Sequence, residues 1–216
     1  MQALALLNQG KLEEAVESAK DTVRNEPGNL FAREVLIELL CLRGEWDRAD
    51  KQAEAILVQA PQLAVSISLL RQLIRGEKAR RECWFEGRVP EFIGEVDEVS
   101  KQALLAVVAN RDGRLGEALE LVTQVEENSA SLQGTCNGNA FTGIRDLDDL
   151  CLTHFEVITS TGKYFWIPIS RIESLDFKAV ERPRDLYWRQ CHMIVDDGPD
   201  GVVYVPAIYI HTDQQA

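Results

Sequence analysis

Hydrophobic positions follow two different periods along the chain. Up to about residue 130, apolar residues recur every three or four positions, which places them on one face of a helix. Leu63, Ile67, Leu70 and Ile74 show this spacing clearly. After that point, short runs rich in β-branched and aromatic residues are separated by turn residues. The sequence therefore predicts an α+β protein, with helices over residues 1–130 and a β-rich part over residues 131–216.

The helical part contains an internal repeat of 34 residues. Its four landmark residues, which recur once, are Gly10/Gly44, Ala15/Ala49, Ala19/Ala53 and Pro27/Pro61. This is the tetratricopeptide period. Glycine turns the chain between two helices, small alanines let the helices approach, and proline ends the unit. A weaker third copy has Gly113, Leu115 and Ala118, so we predict tetratricopeptide-like helical hairpins in which these residues and Trp46 serve packing.

The second part contains five candidate strands. They are residues 152–159, 164–169, 172–177, 187–195 and 202–210. Short turn sequences such as Asp197-Gly198 separate them, which favours a local antiparallel order. We expect a small, partly open barrel-like sheet. Pro168 and Pro206 lie inside two of the runs, and because proline lacks an amide donor, both are expected to mark an exposed edge.

Composition narrows the function classes. The 216 residues carry a formal net charge of −12, which disfavours general binding to nucleic acid or anionic membranes. The sequence shows no secretion leader and no run near the roughly 18 apolar residues of a membrane span. Five scattered cysteines without a Cys-x-x-Cys pair predict neither a disulfide framework nor a zinc site. A cytoplasmic protein without a cofactor is expected.

A basic stretch interrupts this acidic chain. Residues 71–88 hold six basic and three acidic side chains and also contain Trp84 and Phe85. Such a stretch can bind an acidic partner, or it can be a solvated helix face that ends in a docked aromatic pair. The binding interpretation, extended to the two proline-containing runs, names Arg80, Arg81, Trp84, Phe85, Trp166 and Tyr204.

The run Arg145-Asp146-Leu147-Asp148-Asp149 is the densest acidic cluster. Three carboxylates can bind a hard cation, but the run lacks the ligand spacing and glycine of a calcium loop. In the structural interpretation, one aspartate caps a turn and Arg145 pairs with another at the domain junction. His154, His192 and His211 are isolated, and no nucleophile or phosphate motif accompanies them. The residues therefore predict no enzyme.

Five segments form a combination more specific than the repeat. They are the hairpins ending at Pro61, residues 81–90, the aspartate run, residues 164–168 and residues 201–207. Together they resemble the ImpE family, also called TagJ or SciE-type proteins, which are accessory components of bacterial type VI secretion systems. The similarity extends along nearly the whole chain.

The resemblance implies a cytoplasmic adaptor without catalytic residues. Such proteins are thought to bind a helix near the N-terminus of the small sheath subunit, and so to assist the AAA+ ATPase that disassembles the contracted sheath. A groove between helical hairpins suits such a helix. Two alternatives stay open: a general tetratricopeptide chaperone or regulator of another protein, and a metal-dependent hydrolase using Asp146, Asp148 and Asp149.

Overall fold

The computed structural model of the chain describes residues 1–129, 131–210 and 212, so His211 lies outside the described residues. The helices are α1 (Gln2–Leu7), α2 (Leu12–Asn25), α3 (Leu30–Leu42), α4 (Trp46–Gln59), α5 (Ala64–Glu86), α6 (Glu98–Arg111) and α7 (Leu115–Asn128). The strands are β1 (Gln133–Cys136), β2 (Asn139–Thr142), β3 (His154–Thr159), β4 (Tyr164–Pro168), β5 (Ile172–Phe177), β6 (Trp188–Val195) and β7 (Asp200–Pro206). The predicted α+β class is confirmed.

The repeat glycines end the first helix of each hairpin. Gly10, Gly44 and Gly113 have φ angles of 75°, 77° and 75°, a left-handed conformation that glycine adopts without steric cost. The repeat alanines that follow are fully buried between helices: Ala15, Ala19, Ala49 and Ala53. The helical pairs α1–α2, α3–α4 and α6–α7 are therefore the predicted tetratricopeptide-like hairpins.

Helix α5 lies between these hairpins and the sheet. It is 23 residues long and packs against α4, β3 and β4. It ends at Gly87, and an extended connector, residues 88–97, leads to α6. In the connector, the Glu91 N–H donates to the Tyr164 carbonyl (2.9 Å), and the Trp166 N–H donates to the Glu91 carbonyl (3.0 Å). The connector thus covers part of the outer edge of β4.

The five-stranded sheet is antiparallel, with the order β4-β3-β7-β6-β5. Five strands occur at the predicted runs, although the last covers Asp200–Pro206 rather than residues 202–210. The predicted local antiparallel order is confirmed for β3–β4, β5–β6 and β6–β7, whereas the pairing of β3 with β7 was not predicted. Pro168 ends the edge strand β4. The prediction that Pro206 marks an edge is wrong, because it is the last residue of the central strand β7. The next residue, Ala207, donates its N–H to the Tyr187 carbonyl on the β6 side (2.8 Å), and the pairing with β3 ends at Tyr204, so no N–H is needed at Pro206.

A two-stranded hairpin, β1–β2, precedes the sheet and was not predicted as strands. Its turn residues Asn137 and Gly138 have φ angles of 50° and 80°, which suit a tight hairpin turn. The sequence does not reveal these strands, because each is four residues long, largely exposed and without apolar alternation.

One cluster of buried apolar side chains extends from the hairpins through α5 to one face of the sheet. A smaller cluster on the other face contains Val157, Ile167, Met193 and Val195. Within the described part of the chain, no helix is long and apolar enough to cross a membrane. The division at residue 130 into two domains stays a prediction.

Gly76 provides a test of the contact between α5 and the sheet. A Cβ atom added there would lie 2.3 Å from Ile158 Cγ2, whereas one added at Gly116 in α7 meets nothing within 4 Å. We expect Gly76→Ala to lower the free energy of unfolding by about 1–3 kcal/mol through overpacking. Gly116→Ala, the matched control, should raise it by up to about 1 kcal/mol. Denaturant unfolding measures both, and equal effects would contradict the packing described here.

Candidate functional site

A buried ion pair joins α5 to the sheet. Arg80 is only 1% exposed, and its guanidinium donates to both carboxylate oxygens of Glu156 on β3, at 2.8 and 2.7 Å. The same guanidinium donates to Glu77 at 3.3 Å and to the Ile208 carbonyl at 3.0 Å. Arg80 therefore connects α5 to strand β3 and to the segment that follows β7.

Aromatic side chains also donate hydrogen bonds to these two carboxylates. Glu156 Oε1 accepts from Trp84 Nε1 (2.9 Å) and from the Tyr164 hydroxyl (2.5 Å), and Trp166 Nε1 donates to that hydroxyl (2.6 Å). Glu77 accepts on its two oxygens from Tyr187 Oη (2.9 Å) and Trp188 Nε1 (3.3 Å). Strands β3, β4 and β6 thus all contribute to one buried polar network centred on α5.

The two buried carboxylates are not equivalent. Burial alone would raise the pKa of Glu156, but the Arg80 charge and the hydrogen bonds from Arg80, Tyr164 and Trp84 hold it below its usual value. Burial raises the pKa of Glu77, and Arg80 and Tyr187 offset this only in part. The single Arg80 guanidinium faces both carboxylates. It neutralises Glu156, which it contacts in bidentate geometry.

Three members of the predicted partner-binding set, Arg80, Trp84 and Trp166, belong to this network, and all three are buried, as is Tyr204. Burial places Arg80 in the core rather than at the surface, while a partner contact for the other three stays a prediction. Arg81 and Phe85 are half-buried, and the Arg81 guanidinium lies 5.2 Å from the centroid of the Phe85 ring. The basic stretch misled the prediction because Arg80 belongs to the core face of α5.

A second ion pair fastens the loop between β5 and β6 to α3. Arg182 donates to Glu38 at 2.7 Å and to Glu34 at 2.6 Å. Burial raises the pKa of Glu38 to about 7, although the Arg182 charge opposes the shift. Next to this contact, the Trp46 ring lies 5.1 Å from that of Tyr187 between centroids, in an edge-on arrangement. The Trp46 ring also lies 5.8 Å from that of Trp188 in β6, so Trp46 packs against the sheet as well as in its own hairpin.

The aspartate run forms a braced turn. Asp146 accepts the Asp148 N–H (2.8 Å) and the Tyr209 hydroxyl (2.6 Å), while Asp148 accepts the Leu150 N–H (2.9 Å). Arg145 pairs with Asp149 and, at 2.7 Å, with Glu126 of α7. These are the contacts of the structural interpretation, and Arg145 ties the turn to the helical part. Among the described residues, no group of three or more His, Cys, Asp or Glu side chains is arranged to hold a metal ion.

His154 makes a buried contact that the sequence did not indicate. Its Nε2 lies 2.8 Å from Ser100 Oγ, and its Nδ1 lies 2.8 Å from the hydroxyl of Thr153. Burial lowers the pKa of His154 to about 4, and the charge of Asp97 offsets this only in part. Because burial makes the ring a weak base near neutral pH and Nδ1 contacts a hydroxyl rather than a carboxylate, this serine–histidine contact does not support nucleophilic catalysis.

An apolar groove opens at the surface between the end of α5, the connector and α6. Its volume is about 430 Å³, and the buried rings of Trp84 and Trp166 are among its lining side chains. Val89 from the connector and Leu105 from α6 also line it and are 63% and 55% exposed. The sequence analysis named the two tryptophans but not Val89 and Leu105, because a single apolar residue in a connector or on a helix does not reveal whether another element covers it.

The fold and the buried junction define a class of protein: tetratricopeptide-like hairpins to which a C-terminal antiparallel sheet is fastened by buried ion pairs. The family model described as "ImpE protein" matches residues 138–216. The chain is 29% identical to the "Type VI secretion system accessory component TagJ" of Pseudomonas aeruginosa over 213 residues, which are 98% of this chain and 75% of that protein. These findings confirm the resemblance to the ImpE family.

A solved structure shows the same architecture. The crystal structure of protein VPA1032 from Vibrio parahaemolyticus matches with a TM-score of 0.92 at 27% sequence identity. The match covers 100% of this chain and 82% of that chain. The order of hairpins, central helix and sheet is therefore shared along the full length of the chain described here.

Arg80 and Arg81 offer a test of the buried junction. Arg80→Met leaves Glu156 and Glu77 buried without their cation, so we expect a loss of about 3–5 kcal/mol in the free energy of unfolding. Arg81→Met, one position further along α5, should cost about 1 kcal/mol or less, since its cation–π contact is partly exposed. Urea unfolding of the two variants checks this. A small cost at Arg80 would contradict the assignment of the network as the fastening of α5.

His154 gives a pH-dependent prediction. The folded pKa of about 4 lies below the ordinary value of 6.5, so acid protonates the unfolded chain first. The stabilising contribution of neutral His154 is complete above pH 6.5 and falls by on the order of 3 kcal/mol as the pH drops to about 4. The gap in unfolding free energy between the chain and His154→Gln should therefore narrow across this window. Chemical denaturation in buffers from pH 7 to about 4 measures it, and a constant gap would contradict the assignment.

Proposed function

We propose that this protein is a non-enzymatic accessory component of a type VI secretion system that acts in the cytoplasm. It binds a helix near the N-terminus of the small sheath subunit and thereby assists the AAA+ ATPase that handles the contracted sheath. The name of the Pseudomonas aeruginosa relative supports the accessory role, since the similarity to it extends over 98% of this chain.

The observation that carries the proposal is an apolar groove beside helical hairpins. Hairpin scaffolds bind partners through exposed surfaces between stacked helices, and an amphipathic helix places its apolar face in such a groove. The buried network next to it holds α5 and β4 together, so the groove keeps its shape without a ligand. The described residues that looked chemically suggestive, His154 and the aspartate run, are engaged in structural contacts instead.

The adaptor role is tested by capture of the sheath subunit. The immobilised protein should retain the small sheath subunit from a purified mixture, and deletion of that subunit's N-terminal helix should abolish retention, because the helix supplies the apolar face. The large sheath subunit alone serves as the control and should not be retained. Capture that persists without the helix would overturn the helix-binding proposal, while failure of capture altogether would overturn the sheath partner.

A further inference from the structure

The groove between α5, the connector and α6 has a basic lining, although the chain as a whole is acidic. Arg88, Lys101 and Arg111 line it, and no acidic residue is among its described lining residues. The chain as a whole carries a net charge of −12. The basic border around the apolar lining of this groove therefore contrasts with the overall acidity of the chain.

The basic residues at the border form ion pairs with carboxylates that do not line the groove. Arg88 pairs with Glu82 at 2.7 Å, Lys101 with Glu98 at 3.5 Å, and Arg111 with the adjacent Asp112 at 3.4 Å. All three pairs are partly or largely exposed, and exposed pairs contribute little, typically about 0–1 kcal/mol. An incoming carboxylate can therefore exchange with these local partners at small cost.

The floor of the groove presents carbon rather than polar atoms. Trp84 donates its indole N–H inward to Glu156, and Trp166 donates its own to Tyr164. The ring surfaces that remain toward the groove can accept apolar side chains without leaving a buried donor unsatisfied. Leu105 and Val89 add exposed apolar area on two further elements.

We propose that this groove is the docking site for one amphipathic helix of a partner protein, whose apolar residues enter between α5 and α6 and whose flanking Asp or Glu residues face Arg88, Lys101 and Arg111. The inference rests on the proposed function, because it assigns a surface and a partner chemistry to the helix that the adaptor binds. A helix fits because anchors spaced three and four residues apart lie along one narrow apolar stripe. Charge complementarity favours an acidic rather than a basic flank.

The test measures binding of a synthetic peptide that covers the N-terminal helix of the small sheath subunit. Leu105→Glu should weaken binding at least about tenfold, because it places a charge at the apolar mouth. Leu119→Glu is the matched control: Leu119 is 67% exposed on the neighbouring helix α7 and is not among the groove residues. We expect the control to change the Kd by less than about twofold. Unchanged binding by Leu105→Glu would overturn the groove assignment and leave the adaptor role standing.

The charge of the border is tested separately. Lys101→Glu should weaken peptide binding by about threefold to tenfold at low salt, and the loss should shrink as salt is added. Lys51→Glu on α4, an exposed lysine outside the groove, should leave the affinity unchanged. Equal effects of the two substitutions would contradict the proposed acidic flank. Circular dichroism and melting temperature establish that all four variants are folded, and Leu105→Ser replaces any destabilised Leu105 variant.

A second probe separates the two proposals. It is a designed helix with leucines at positions i, i+3, i+4 and i+7 and glutamates on both flanks. If the sheath peptide does not bind but this probe binds and is lost in Leu105→Glu, the sheath proposal fails and the groove assignment stands. If neither binds, the groove assignment fails. If the protein self-associates and Leu105→Glu makes it monomeric without either peptide competing, the occupant is a second copy, which overturns the proposed partner.

Discussion

The burial of Arg80 against Glu156 is the constraint on which the arrangement of the two halves depends. A charge removed from water is tolerated only where its hydrogen-bonding groups are satisfied, and this requires the partner groups in a narrow geometry. The guanidinium meets Glu156 in bidentate contact, and Trp84 and Tyr164 complete the coordination of that carboxylate. Rotation or sliding of α5 would break several of these contacts together, so the helix has one favoured position on the sheet.

The groove is a consequence of the position of α5 on the sheet. Trp84 and Trp166 take part in the buried network with their indole nitrogens and line the groove with the rest of their rings. The connector bonds to the edge of β4 and so keeps Val89 beside them. The structural and the proposed binding roles therefore use different atoms of the same side chains. This explains how residues that are almost completely buried can still shape a surface.

Patterns in the sequence predicted the features that depend on contacts between residues close together in the chain. The 34-residue repeat located the hairpins, because glycine at a helix end and alanine at a close contact are dictated by neighbours within one unit. The aspartate run likewise marked a turn, since its hydrogen bonds reach two residues along the chain. The place of β7 between β3 and β6 depends on pairing between distant strands, and no short motif encodes that order. Arg80 was misplaced for the same reason: its partner Glu156 is 76 residues away. A lone glutamate within an apolar strand was the one signal that could have indicated it.

These ion-pair partners are far apart in the sequence, so the contacts between them can form only late in synthesis. The helical part leaves the ribosome first, with Glu77 and Arg80 on a face of α5 that only later residues cover. Arg182, which meets Glu38 across 144 residues of chain, is made later still. Contacts of such large sequence separation form slowly, because much chain entropy is lost before they are gained. The nascent hairpins therefore expose a charged and aromatic face until the last strands arrive, which makes this face a point of vulnerability to wrong association during biogenesis.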